Sequence, residues 1–299
     1  MSPRHSAEAG PVQTRDAPPY ANLAVLGTGL IGGSFALAVR GILPQVSVVG
    51  WDRSEVLQRA MERGAITRAA ASLAEAVATA ELVYVALPIG ATLDLLAEVA
   101  RHARPGALVT DAASTKAAIC RAAADEFRRD VHFVGGHPLA GREVSGIEHA
   151  DAALFRGAKY ALVGEPAAPA ARQFEALLRR IQAEPVWLDA ETHDWAVGIV
   201  SHLPQLASVA LAGVVNDETD ESGLPLNLAG TGLRDSLRLA GSPYAVWRDV
   251  CLTNRDNLVR SLDRLIQALE HVRGTLASRD LEPQFDAANQ VYKSLREMD

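Results

Sequence analysis

The sequence predicts an α/β fold, a doubly wound and mostly parallel sheet, followed by an all-α second domain. Three observations carry this. Short apolar runs alternate with helical patterns from Leu23 to Leu188. A glycine-rich turn joins the first apolar run to the first helical pattern. After Asp189 strand signals cease and helical periodicity takes over.

Leu23–Leu26 is a short apolar run ending in glycine, as a buried strand requires, and Ile31 to Arg40 reads as a helix. Val46–Trp51 is a second strand, and Glu55 to Arg63 is a helix stopped by Gly64. Leu73 to Ala80 is a short helix, and Leu82–Leu87 is a strand ended by Pro88. Thr92 to His102 is helical, Ala107–Thr110 is a strand, and Thr115 to Phe127 is helical. His132–Val134 is a strand leading into the bend that holds His137. Tyr160–Val163, Ala170 to Gln182 and Val186–Leu188 add strand, helix and strand. Beyond them, Trp195 to Val215, Leu226 to Leu239, Tyr244 to Ala277 and Gln284 to Leu295 read as helices. The predicted organisation is a disordered tail at 1–20, a dinucleotide-binding domain at 21–190 and a helical domain at 191–299. The tail has four prolines, mixed charge and no apolar stretch of a leader. The span from Tyr244 is long for a helix standing alone, which predicts a homodimer through the helical domain.

At 48% hydrophobic, 299 residues supply a substantial core. A net charge of −7 argues against a nucleic-acid partner. No run is expected to reach the roughly 18 apolar residues of a membrane span. Cys120 and Cys251 lie in helical patterns with no CxxC and no metal-ligand cluster, and they read as core thiols of a cytoplasmic protein.

Gly27-Thr28-Gly29-Leu30-Ile31-Gly32 is a G-x-G-x-x-G between a strand and a helix. The first glycine serves the turn, the second the approach of a pyrophosphate, and the third close helix–strand packing. Asp52 stands 20 residues after Gly32, at the end of the second strand. A carboxylate there accepts the ribose hydroxyls and repels a 2′-phosphate, which favours NAD; the neighbouring Arg53 partly offsets that repulsion. Leu87 and Pro88 end a strand that should lie over the cofactor, although Pro88 serves equally as a plain terminator. This is a Rossmann-like signature in its proper context.

Gly135 to Gly146 places His137 in a glycine-rich bend, where backbone can closely approach a ligand and an imidazole can move a proton near neutral pH. Ser114 reads as a helix N-cap, a role that competes with contact to a ligand for one hydroxyl. His202 lies two residues before Pro204 and reads as core or kink-related. Arg234 and Arg238 are one helical turn apart, and Asp235 could pair with Arg238. The pair is either an exposed ion pair or a fork for a carboxylate.

Five segments, Gly27–Ser34, Asp111–Lys116, Gly136–Gly141, Ser201–Gln205 and Leu233–Arg238, fall in the order seen in prephenate dehydrogenases, and from Asn22 onward the chain resembles that family, including its arogenate and cyclohexadienyl variants. The resemblance implies NAD-dependent oxidative decarboxylation of prephenate to 4-hydroxyphenylpyruvate in tyrosine biosynthesis. It implies that His137 takes the ring hydroxyl proton, that Ser114 touches the same hydroxyl beside the cofactor, that His202 holds the substrate side chain and that Arg238 binds a carboxylate. Arg142 replaces a small hydroxyl residue common in relatives and precedes Glu143, an acidic position near the pocket mouth. A second arginine would disfavour the ammonium group of arogenate, so prephenate is the first choice and an arogenate or dual-specificity enzyme the alternative. A β-hydroxyacid dehydrogenase would be expected to carry a lysine on the first helix after the boundary, and Trp195 to Val215 has none. A catalytically dead nucleotide sensor would need none of Ser114, His137, His202 and Arg238.

Overall fold

The structure, a computed structural model, describes residues 20–141, 144–219, 221–278 and 280–297. Arg142 and Glu143 therefore lie outside the described residues, as does all of the predicted tail except Tyr20. Tyr20 corrects the tail reading at its last residue: its ring is 3% exposed and packs into the core.

Eight strands form one sheet: β1 (Asn22–Leu26), β2 (Ser47–Trp51), β3 (Arg68–Ala69), β4 (Leu82–Val85), β5 (Leu108–Asp111), β6 (His132–Pro138), β7 (Lys159–Val163) and β8 (Glu184–Trp187). Their order is β3-β2-β1-β4-β5-β6-β7-β8. Every neighbouring pair is parallel except β6 and β7. The connecting helices are α1 (Leu30–Ile42), α2 (Ser54–Glu62), α3 (Leu73–Val77), α4 (Ile89–His102), α5 (Ala117–Glu126) and α6 (Pro169–Arg180). Alternate residues of β1 face opposite sides of the sheet. Leu23 and Val25 pack with Phe35 of α1, Leu57 of α2 and Phe174 of α6. Ala24 and Leu26 pack with Leu73 and Val77 of α3 and Val99 of α4. Helices on both faces explain why the strands read as unbroken apolar runs. The winding reverses between β1 and β4, so a crevice opens at their carboxyl ends.

Several expected boundaries move. β3 is too short and too polar to show as a periodic run. β4 stops at Val85, and Pro88 is the N-cap of a helix that begins at Ile89 rather than Thr92. β6 does not give way to a bend before His137. It continues through Pro138, because β7 pairs with residues 135–138 from the other side. α5 begins at Ala117 with Lys116 at its N-cap and no side-chain cap, so Ser114 is not the capping residue.

The chain divides into two compact units after His193. The second half is helical: α7 (Ala190–Val197), a π-helical turn (Gly198–His202), α8 (Leu203–Asp217), α9 (Leu224–Asn227), α10 (Thr231–Leu237), a 3-10 turn (Leu239–Gly241), α11 (Tyr244–Thr253), α12 (Arg255–Thr275) and α13 (Glu282–Arg296). The single helix expected over Leu226–Leu239 is broken, because Gly230 is extended (φ −90°, ψ −167°). The long helix expected from Tyr244 to Ala277 breaks at Asn254 (φ −115°, ψ 22°), whose side chain bonds to groups outside its own helix. Helix length is therefore no longer the argument for a dimer. The expectation that no stretch could span a membrane is also corrected: Ala190–Asp217 is helical for 28 residues and is long and apolar enough by length and composition alone. Its buried polar side chains are bonded to protein partners, His202 to Asn254, Gln205 to the Leu239 carbonyl and Ser208 to the Ser236 carbonyl. Those bonds tie one face of the helix to its own folded unit, while Trp195, Val200, Val209 and Val214 are exposed on it.

Phe174 holds α6 to the sheet; it is fully buried, with Phe35 and Tyr160 at ring distances of 6.5 and 6.2 Å. Phe174→Ala should cost about 3–5 kcal/mol, read as a lowered urea midpoint at unchanged slope.

Candidate active site

The nucleotide loop is built by steric exclusion. Gly27 has φ +87°, and a Cβ there would lie 2.4 Å from the Ala86 carbonyl oxygen. A Cβ at Gly32 would lie 1.9 Å from the Gly27 oxygen. A Cβ at Gly29 would meet nothing within 4 Å. Two glycines thus press the turn against the sheet, and the middle one faces open space at the start of α1. That is the arrangement a pyrophosphate needs at a helix N-terminus. The Thr28 N–H and hydroxyl both donate to Asp52 Oδ2, at 2.7 and 3.3 Å, and the Arg53 N–H donates to Oδ1 at 2.7 Å. Asp52 therefore ties the end of β2 to the turn. Those three bonds leave one of the roughly four acceptor positions of a carboxylate, on Oδ1, for a ribose hydroxyl. Leu30 and Ile31 open α1, and Leu87 sits beside the turn, its Cδ2 2.9 Å from where a Gly27 Cβ would be. Pro88 is exposed at the start of α4. These residues fit a dinucleotide.

The second construction lies where β5 and β6 end. Asp111 and Lys116 form an ion pair with both side chains fully buried. Lys116 Nζ also donates to the Gly136 carbonyl at 2.7 Å, and the Gly136 N–H donates to Asp111 Oδ1 at 3.1 Å. The peptide on each side of Gly136 is thus gripped by one member of the pair. Only glycine fits there, because a Cβ would lie 2.4 Å from the Asp111 carbonyl oxygen. Behind it, Tyr160 donates to Tyr84 at 3.1 Å, and burial pushes both phenols well above their ordinary pKa, keeping them protonated. The clamp fixes the next residue, His137, which is 9% exposed. His137 Nδ1 lies 2.9 Å from Nε2 of His193, itself 1% exposed. Ser114 is half-buried in the bend between Asp111 and Lys116.

In the helical unit, His202 is 1% exposed at the end of the π-turn. The Leu203 N–H bonds the Gly198 carbonyl five residues back. The wide turn, rather than a sharp kink, is how the chain accommodates Pro204, and such bulges recur at functional sites. Asn254 Nδ2 donates to the Asp194 carbonyl at 2.8 Å and lies 3.1 Å from His202 Nδ1. Asn257 donates to the other end of the same amide at 2.7 Å. An amide nitrogen only donates, so His202 Nδ1 accepts and its proton sits on Nε2. Trp247 packs edge-on against the ring at 5.7 Å. Gln205 donates to the Leu239 carbonyl and Ser208 to the Ser236 carbonyl, each at 2.8 Å. They fasten the backbone on both sides of Arg238. Arg234 and Arg238 are both exposed, and the backbone at Arg238 keeps the helical conformation (φ −53°, ψ −42°).

Ser114, His137 and the nucleotide loop thus belong to the first unit, and His202, Arg234 and Arg238 to the second. His193 and Asn254 were not singled out from the sequence. Asn254 had a signal, a poor helix former amid a long apparent helix; His193 had none beyond being a histidine at a helix start.

Comparison with known proteins gives the family of the chain. The family profile described as prephenate dehydrogenase, nucleotide-binding domain matches residues 35–184, and that for the prephenate dehydrogenase dimerization domain matches residues 189–290. The prephenate dehydrogenase of Lactococcus lactis subsp. cremoris is 33% identical over 91% of this chain and 76% of its own length. Among solved structures, Synechocystis arogenate dehydrogenase is 30% identical with a TM-score of 0.77, covering 92% of this chain and 99% of that one. The fold is shared with prephenate dehydrogenase from A. aeolicus in complex with hydroxyphenyl propionate and NAD+, at a TM-score of 0.84 and 24% identity over 93% of this chain and 98% of that one. With both of its halves matched by that family's two domains, this chain is an oxidoreductase that belongs to the prephenate dehydrogenase family.

Proposed function

We propose that the chain oxidatively decarboxylates prephenate to 4-hydroxyphenylpyruvate with NAD, as a cytoplasmic homodimer. The observation that carries this reading is a buried histidine, His137, clamped at the same carboxyl edge of the sheet that carries a nucleotide turn. NAD, when bound, accepts the hydride from ring carbon 4. The chain's residues do the rest. Gly27 to Gly32 hold the pyrophosphate, Asp52 accepts from the ribose, and Leu87, Pro88 and Arg53 border the cofactor. His137 takes the 4-hydroxyl proton as the hydride leaves, with Ser114 holding the same oxygen. The ring carboxylate then departs as carbon dioxide, its bonding electrons complete the aromatic ring, and His137 returns the proton to the oxygen. No proton is consumed overall: a dianion and a cation become a monoanion and two neutral products.

For the helical unit, the tautomer set by Asn254 makes His202 Nε2 a donor, suited to a carbonyl or carboxylate oxygen of the substrate side chain. Arg238 is assigned to fork onto a carboxylate, with Arg234 beside it. Arg142 and Glu143 are assigned to the pocket mouth on sequence grounds alone. The arogenate reading is supported by the 30% identity to the Synechocystis enzyme. Arg142, a second positive charge, disfavours the ammonium group of arogenate and so favours prephenate.

The dimer is supported by the C-terminal match and by an apolar stripe that runs along α12 to its C-cap, Leu276. Val259, Ile266, Leu269, Val272 and Leu276 recur at helical spacing and are all exposed, with Ile266 at 52% and Leu269 at 58%. Cys120 and Cys251 are not joined in a disulfide, which agrees with a reducing compartment.

NADH formation measured with prephenate and arogenate, and reduction measured with NAD and NADP, tests the reading directly; prephenate with NAD should give the highest kcat/KM. His137→Asn should bind NAD as the parent does and lose about 10²- to 10⁴-fold in kcat; unchanged turnover would remove His137 as the base. Arg238→Lys keeps the charge but not the fork, and should raise KM for prephenate about tenfold at little cost in kcat. Sedimentation equilibrium should return twice the 31.7 kDa chain mass, and the double variant Ile266→Glu, Leu269→Glu the single mass.

A further inference from the structure

His193 has no part in the reading above, yet its imidazole is held against that of His137. His137 lies near the end of β6, and His193, 56 residues later in sequence, is the last residue of the first unit. Their rings are nearly perpendicular, 73° apart with centroids at 5.1 Å, which brings Nδ1 of one to 2.9 Å from Nε2 of the other. Both are fixed from behind. The clamp of Asp111 and Lys116 on Gly136 sets His137. His193 sits in the first turn of α7, where Asp189 accepts from the Thr192 N–H at 2.8 Å and the Thr192 hydroxyl at 2.6 Å, and the His193 N–H bonds the Asp189 carbonyl at 3.0 Å. Those bonds lower the Asp189 carboxyl below its ordinary pKa, so the cap stays charged.

A neutral imidazole has one donor and one acceptor nitrogen, so one proton lies between the two facing nitrogens. If His193 donated it, His137 would carry its own proton on Nε2 and could not act there as a base. We infer that His193 is a positioning residue for the reaction: its Nε2 accepts from the Nδ1–H of His137 and holds the lone pair of His137 on Nε2. This rests on the proposed role of His137 as proton acceptor. When His137 takes the substrate proton, both its nitrogens carry hydrogen. The bond to His193 becomes charge-assisted and stabilises the imidazolium without a second proton moving. His193 need touch neither substrate nor cofactor. The logic is that of a base oriented by a third group, with a neutral ring where other enzymes place a carboxylate.

Imidazole ¹⁵N spectra of the full-length protein, recorded above the titration of both rings and assigned with His137→Asn and His193→Gln, read the tautomer directly. The wild type should show His137 protonated at Nδ1; a His137 protonated at Nε2 overturns the inference whatever the kinetics. His193→Phe, which removes the acceptor, should lower kcat about 10²-fold with KM for prephenate within about twofold, and should shift His137 toward the Nε2–H form. His193→Gln offers an amide oxygen to the same N–H and should recover at least a tenth of the wild-type kcat. Wild-type kcat in folded His193→Phe, alongside an inactive His137→Asn, refutes the role of His193 alone. Activity retained in His137→Asn refutes the underlying assignment of the base instead.

Discussion

The buried pair of Asp111 and Lys116 is the constraint on which the rest of the first unit depends. Neither charge reaches solvent, so neither can be left without the other: removing one partner of such a pair typically costs about 3–5 kcal/mol. The pair also has a second function. Each member spends a further bond on the Gly136 peptide, so charge neutralisation and backbone placement are a single event. Parallel pairing of β5 with β6 ends at Thr110 and Val134, and antiparallel pairing of β6 with β7 begins at Gly135. The clamp therefore sits where the sheet changes direction and ordinary ladder bonds on one side run out. Without it the strand end carrying His137 would be supported from β7 alone.

The helical unit solves a similar problem with neutral groups. A histidine buried to 1% needs a partner for its ring nitrogens, and a proline two residues on removes a backbone donor nearby. Asn254 answers the first need by leaving its own helix, so the break between α11 and α12 and the orientation of His202 share one cause. The π-turn answers the second. Gln205 and Ser208, on the two turns that follow, fasten the segment that carries Arg238. Polar side chains on one face of an otherwise apolar helix thus do structural work, and their spacing hides them inside a stretch that composition alone reads as membrane-like.

The sheet was legible because parallel strands buried on both faces are apolar at every position, and because glycine turns announce themselves locally. Gly27 is where the motif requires a left-handed turn, and φ +87° is what it has. Strand ends were less legible, since they depend on pairing partners: nothing in Gly135-Gly136-His137-Pro138 says that β7 will lie beside it. Helix breaks in the second half escaped for the same reason. Apolar periodicity passes smoothly through Asn254, and only its distant bonds to the Asp194 carbonyl and His202 end the helix. Within the candidate site, residue types were visible but their partners were not. Asp111 and Lys116 are five residues apart, a spacing that signifies nothing without β6 between them, and His193 reaches His137 across 56 residues.

Two histidines in this chain illustrate how little the residue type decides by itself. In a neutral ring, one nitrogen takes the same role, donor or acceptor, as the group that faces the other nitrogen. At His202 the facing group is an amide nitrogen, which can only donate, so the ring must offer a proton from Nε2. At His137 the facing group is another imidazole, which can do either, so the choice passes to whatever sets His193. An amide dictates a tautomer; an imidazole permits one and can also share a charge once it forms. A group that only binds substrate needs the first kind of partner, since its protonation state should not change. A group that takes up and returns a proton within each turnover is better served by the second, because its partner must suit both states of the ring.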